Sequence, residues 1–218
     1  MPTTYDHIAG QSKERLAAIS DGIFGVAMTL MLLELHTPAA TAVKGEVSLL
    51  LALKDIAPAF LVYLLSYMTL GIFWVGQQTQ LNHIERSDRH LTWIHLGFLF
   101  FVTILPLSTR LLTEFMELRT ALLFYWFNIF LLGATLFVSW RYAINAGLVA
   151  ESIPTTDRDA ICRRIVIGQV LYAAGAALCI VNTYCSIASI ILLQLNYVIA
   201  PHLWWSRDFA VGPDDDEE

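Results

Sequence analysis

Arg15, Ser20 and Asp21 stand just ahead of a long apolar run, Ile23 to Leu35, and their types and spacing invite chemistry more than any other set in this chain. A charge or hydroxyl in hydrocarbon is costly unless it is paired or faces water. Such a set at the entrance to an apolar helix therefore has two readings. Either it works at a functional site, or Ser20 and Asp21 cap the helix while Arg15 extends its guanidinium to lipid headgroups. Arg15 and Asp21 are six residues apart and do not share a helix face, so each is expected to reach a partner on a neighbouring helix. Asp21 then serves either as a paired carboxylate or as an attractor of cations.

Other chemistry is sparse. Cys162, Cys179 and Cys185 are odd in number and lack Cys-x-x-Cys spacing, so no redox or metal centre is expected of them. His7, His36, His83, His90, His95 and His202 are scattered without a zinc-binding spacing. His95 falls inside an apolar run, where it either titrates or makes a hydrogen bond within a helix bundle. No nucleophile elbow, phosphate-binding glycine loop or paired acid/base carboxylates within an apolar segment occur, so the chain is not expected to be an enzyme and no cofactor is expected. With 13 Lys and Arg against 19 acids, a nucleic-acid partner is not expected either.

The elements that must position these groups are membrane helices. Hydrophobic residues make up 56% of the chain and mean hydropathy is +0.59, beyond what a soluble core needs. A span needs about 20 apolar helical residues, and six such stretches occur, near residues 16–35, 57–79, 91–113, 120–140, 163–182 and 186–205. The fold class is thus an all-α integral membrane protein with a six-helix bundle per chain. Residues 1–14 read as a cytoplasmic N-terminal segment, 15–206 as the membrane domain, and 207–218, ending in Asp214 to Glu218, as a solvated acidic tail without apolar residues to bury after Pro213. The longest connections are 37–56 and 141–162. One set of helix ends carries Lys13, Arg15, Arg86, Arg89, Arg141, Arg158, Arg163, Arg164 and Arg207; the other carries Lys44, Lys54, Arg110 and Arg119. The positive-inside rule then places both termini in the cytoplasm, in a plasma or inner membrane. Trp74, Trp93, Trp126, Trp140, Trp204 and Trp205 lie mostly near span ends and read as interfacial anchors.

Within the first span, Val26, Leu30 and Leu33 recur at helical spacing on one face, beside Thr29, while Gly22, Gly25 and Ala27 let other helices approach. The stretch Arg15-Leu-Ala-Ala-Ile-Ser-Asp21 with Thr29 eight residues on resembles the first-helix signature Arg-x-x-x-Phe-Ser-Asp of the transmembrane protein 175 family, the lysosomal potassium channel and its bacterial homologues. Ile19 stands in place of the Phe. The resemblance continues through Gly71-Ile-Phe-Trp74, Arg86-Ser-Asp-Arg89-His-Leu-Thr-Trp93 and Leu105-Pro106. Gln77 and Gln78 depart from it, at positions where the family is expected to carry His.

The resemblance implies a potassium-selective leak channel in which first helices from a homotetramer line a central pore. No Thr-Val-Gly-Tyr-Gly segment exists here to build a carbonyl filter. By the family's register, Val26 is the narrowest constriction and Leu30 and Leu33 form further apolar rings, forcing ions to shed water and gating by dewetting. Val there predicts a wider pore and weaker selectivity than Ile or Leu would give. Thr29 offers its hydroxyl either to the ion or to a helix carbonyl. Arg15, Ser20 and Asp21 would sit at the cytoplasmic mouth as ties, with Trp74, Trp93 and His95 as packing partners. The partners implied are further copies of the chain, the lipid bilayer and permeant potassium. Two other classes remain open from the residues alone: a secondary or proton-coupled transporter, for which only Pro106 supplies a noticeable helix break, and a non-conducting membrane scaffold.

Overall fold

Each apolar run becomes a helix because only a helix satisfies its own backbone in hydrocarbon. The computed structural model describes residues 12–33, 35 and 43–199. It contains α1 (Lys13–Leu33), α2 (Glu46–His83), α3 (Arg89–Glu114), α4 (Arg119–Asn145), α5 (Thr155–Ala177) and α6 (Thr183–Ile199), with a single 3₁₀ turn, Leu178–Ile180, between the last two. All six expected helices are present. Five are long and apolar enough to cross a membrane; α6, with 17 residues, is shorter within the described part. The acidic tail 207–218, most of segment 1–14, the end of the sixth expected span, His7, His36, His202, Trp204, Trp205 and Arg207 lie outside the described residues.

Two boundaries differ from the sequence expectation. α2 begins at Glu46 rather than near 57 and runs for 38 residues, and α5 begins at Thr155 rather than near 163. The expected connections 37–56 and 141–162 are therefore shorter. In α2 the charges Lys54 and Asp55 interrupt the apolar run, whereas the hydrogen-bond ladder continues past them to Glu46; in α5 it continues through the polar turn Thr155-Thr-Asp-Arg.

The helices close a ring in the order α1, α3, α4, α5, α6, α2, and α2 also touches α3 and α4. The main core holds Phe24, Leu65, Leu70, Phe98, Leu105, Tyr125, Leu132 and Ile190. A second, smaller core closes the end where α1 begins, around Leu81, Ile84, Leu91, Trp140 and Val149. There α4 stops at Gly147, whose φ of 65° is open to glycine at little cost, and Leu148 N–H returns to the Ala143 carbonyl at 2.9 Å. The chain leaving this turn pairs with the α2–α3 connection: Glu85 N–H donates to the Leu148 carbonyl and Ala150 N–H to the His83 carbonyl, each at 3.0 Å. Trp140 is thus a fully buried residue whose indole N–H donates to the Arg158 carbonyl at 3.0 Å, and not the headgroup anchor expected from its position. Asp88 caps α3, accepting from Leu91 N–H at 2.7 Å and from the Tyr142 hydroxyl at 2.6 Å.

The candidate pore helix and its anchoring network

Leu16, Ser20, Phe24, Ala27 and Met31 form the buried face of α1, at alternating spacings of four, four, three and four. A neighbouring face, about a third of a turn round the helix, carries Ile19, Val26, Leu30 and Leu33, which are 45, 57, 45 and 79% exposed. The expected stripe therefore shares one face of the helix, and none of the described residues covers it fully. With Gly22, Ile23, Ala27, Thr103 and Pro106, three of these residues (Ile19, Val26 and Leu30) line an apolar groove between α1 and α3. Thr29 is exposed as well, and its hydroxyl lies 3.0 Å from the Gly25 carbonyl and 2.9 Å from the Val26 carbonyl, so it is satisfied by its own helix.

The buried face is held by polar bonds near the start of α1. Ser20, with no exposed surface, lies 2.8 Å from His95 Nε2 of α3 and 2.8 Å from Gln77 Nε2 of α2; Gln77 Nε2 is also 2.9 Å from His95 Nε2. The Gln77 amide donates to Ser20 Oγ, the tautomer of His95 sets which of Ser20 and His95 is the donor between them, and Ser20 Oγ also lies 2.7 Å from the Leu16 carbonyl. Gln77 Oε1 has no partner among the described residues. His95 is 3% exposed and its ring sits 6.1 Å from that of Phe98, so of its two sequence readings the hydrogen-bonded one is realised.

Beside this buried triad, Asp21 accepts from the Trp74 indole N–H at 2.8 Å and from Gln78 Nε2 at 2.9 Å, at an exposed position. Asp21 thus ties α1 to α2, as expected. Arg15 does not follow: it is exposed and its side chain has no partner among the described residues, because it shares the open face of Ile19. Trp93 departs as well. It is 65% exposed and makes no ring contact or hydrogen bond with α1 among the described residues. Lys13 contributes a tie not anticipated, its Nζ donating to the Ile84 carbonyl at 2.9 Å. Gln77 and Gln78, read from the sequence only as departures from a pattern, prove to be the donors that join α2 to Ser20 and Asp21.

A second polar network, nearer the other end of the bundle, was missed altogether. Thr109 donates to Ser66 Oγ at 2.8 Å, Ser66 lies 3.2 Å from the Tyr125 hydroxyl, and Tyr125 lies 3.1 Å from Thr69 Oγ1. Gln194 Nε2 then reaches Thr69 Oγ1 at 2.7 Å and the Tyr172 hydroxyl at 3.4 Å. These side chains come from α2, α3, α4, α5 and α6, and every one is buried. The signal available was the spacing Ser66, Thr69, Gln77, Gln80, which puts four polar residues on one face of an apolar helix, plus a Gln inside the sixth span. Between the two networks lie Phe24, Phe73 and Phe98, with ring centroids 6.0 Å (Phe24–Phe98) and 6.5 Å (Phe73–Phe98) apart.

Comparison with known proteins bears on the same helices. The family model described as endosomal/lysosomal potassium channel TMEM175 matches residues 15–106, which hold nearly all of α1, the whole of α2 and most of α3. A potassium channel of Chamaesiphon minutus is 29% identical over 190 residues, covering 85% of this chain and 93% of that protein. The endosomal/lysosomal proton channel TMEM175 of Danio rerio is 32% identical over 116 residues, covering 51% of this chain and 22% of that protein. Other matched relatives are covered over 48% of their length. The crystal structure of a lysosomal potassium-selective channel TMEM175 homolog from Chamaesiphon minutus superposes with a TM-score of 0.74 at 25% identity, covering 86% of this chain and 96% of that one. The likeness thus extends from the α1 signature along nearly the whole bundle: this chain is similar to the TMEM175 family over residues 15–106 and to a bacterial potassium channel over 85% of its length.

Proposed function

We propose that this chain forms a potassium-conducting cation channel, as a homotetramer in which α1 from each copy lines a central pore. The observation that carries this reading is the two-sided construction of α1. One face is fixed to α2 and α3 through Ser20 and Asp21, and the other presents Val26, Leu30 and Leu33, largely exposed. A helix so held, with an uncovered aliphatic stripe, is suited to meet its own copies about an axis. The names of the relatives, potassium channels and TMEM175 channels, agree with it.

In this mechanism Val26 makes the narrowest ring and Leu30 and Leu33 extend the apolar constriction. Potassium passes because it sheds part of its hydration shell more cheaply than sodium, without a carbonyl filter. Thr29 stiffens the helix beside the ring through its own carbonyls rather than facing the ion. Ser20, Asp21, Gln77, Gln78 and His95 fix the rotation of α1 and hence which residues face the axis. Both termini lie on the cytoplasmic side, with Arg15 at the pore mouth.

Purified protein in a planar bilayer, with potassium on one side and sodium on the other, tests the reading. A passive current reversing toward the potassium potential is expected. Val26→Asn is expected to raise the current and shift the reversal potential toward zero, because a polar ring removes the dewetting barrier; Val26→Phe is expected to block by bulk. Saturable, slow uptake would indicate a carrier, and no flux a scaffold. Unchanged permeation in both variants would remove Val26 from the pore.

A further inference from the structure

The 38 residues of α2 make a helix about 57 Å long, whereas a bilayer with its headgroups is about 40–45 Å thick. The surplus lies at its beginning. Buried residues in α2 start only at Val62, and residues 46–61 contain none. From Asp55 to His83 the helix already spans about 42 Å, the whole thickness of a bilayer. With His83 at one face of the bilayer, residues 46–54 project about 12 Å beyond the other.

That projection has the wrong composition for water. Val47, Leu49, Leu50, Leu51 and Leu53 are 73, 43, 66, 59 and 52% exposed and take up more than half of the helix circumference, the remaining sector holding Ser48, Ala52 and Asp55. So wide an apolar surface needs cover. Tilting α2 until lipid covered it would carry the charges of Lys54 and Asp55 into hydrocarbon, which is costly, and the packing of α2 from Val62 onward against four other helices fixes its direction. The charges around the segment point to a different occupant. Lys44 and Lys54 stand with Glu46 and Asp55, two bases and two acids, all exposed and in no ion pair among the described residues. A second copy related by rotation presents the same balanced set in complementary order, which neither lipid tails nor a partner of one charge sign supplies.

We infer that residues 46–54 of α2 dock against the same segment of neighbouring copies, forming an apolar collar above the membrane-embedded bundle. The inference rests on the homotetramer proposed above. The collar joins copies at a level where α1 has ended, so it holds the assembly independently of the pore stripe.

The test uses the full chain with Cys162→Ser, Cys179→Ser and Cys185→Ser, carrying in turn Val47→Cys, Leu50→Cys, Leu51→Cys or Leu53→Cys, treated in membranes with a bis-maleimide linker. The 24.5-kDa band is expected to shift to dimer and higher multiples, well above the collision background given by Val170→Cys on α5. Lys54→Glu is expected to lower the linked fraction and Lys54→Glu with Asp55→Lys to restore it. No linking above background at any of the four positions overturns the collar. In that case quenching of a fluorophore at Leu50→Cys by brominated lipid tails assigns the cover to lipid, and free labelling by a water-soluble maleimide leaves the segment open. Native mass of the same preparations separates the two proposals: a tetramer without collar linking overturns the collar alone, and a monomer overturns both.

Discussion

The two polar networks of this bundle are built from similar parts and do different work. The one near the start of α1, with Ser20, Gln77 and His95 and with Asp21, Trp74 and Gln78 beside it, joins α1 to α2 and α3. The one nearer the other end, running through Thr109, Ser66, Tyr125, Thr69, Gln194 and Tyr172, joins the remaining five helices and meets α1 only where Thr109 approaches the Met31 sulfur at 3.7 Å. The candidate pore helix is thus pinned by polar bonds at one end and held by apolar packing at the other. Substitutions in the first network should change how α1 is presented, and those in the second should change how well the bundle holds together.

The largest effect is expected from Tyr125→Ala. It opens a cavity in a site with no solvent access and strips Ser66 and Thr69 of a partner, at about 3–5 kcal/mol. Folded yield and Tm should collapse, while Tyr125→Phe, which keeps the ring, should cost about 1 kcal/mol. If Tyr125→Ala left Tm unchanged but altered conductance, the division of labour between the networks would be wrong. Ser20→Ala comes next, at about 0.6–1.7 kcal/mol, the range measured for hydrogen bonds between membrane helices. Its effect should appear in oligomer stability and single-channel conductance more than in the melting of the bundle. Asp21→Ala should cost about 1 kcal/mol or less, because the group is exposed and its donors can turn to water. Reduced tetramer yield on native mass measurement is the expected sign, and normal assembly with changed conductance would favour Asp21 as a cation attractor.

Gly133→Ala should have the smallest effect. Its new methyl would lie 1.8, 2.3 and 2.9 Å from Nε2, Cδ and Cγ of Gln169, so that side chain must turn away from Cγ outward; the bond it gives up is a long one, 3.5 Å to the Ile129 carbonyl. Displacing it is offset by the better helix propensity of Ala, so Tm should move little. A large loss would show that Gln169 holds α5 to α4 more firmly than its geometry indicates.

Much of this molecule could be read along the chain. Six apolar runs of sufficient length dictated six helices, because in hydrocarbon the backbone has no other way to satisfy itself over such lengths. The spacing of Val26, Leu30 and Leu33 put them on one face of α1, and Ser20 and Asp21 marked where polar contacts would form, since these are local properties of a 3.6-residue period. Which polar groups would meet was not legible. Ser20 and His95 are 75 residues apart, Thr69 and Gln194 125, and only the order of helices around the ring brings them within hydrogen-bond distance. Tertiary packing likewise decided that Arg15 is left on the open face, that Trp140 is buried beneath the first turn of α5, which carries Arg158, and that Thr29 bonds its own helix. Periodicity tells which residues share a side of a helix, but the identity of what lies opposite depends on the neighbour, and the neighbour is chosen by the packing of the whole bundle.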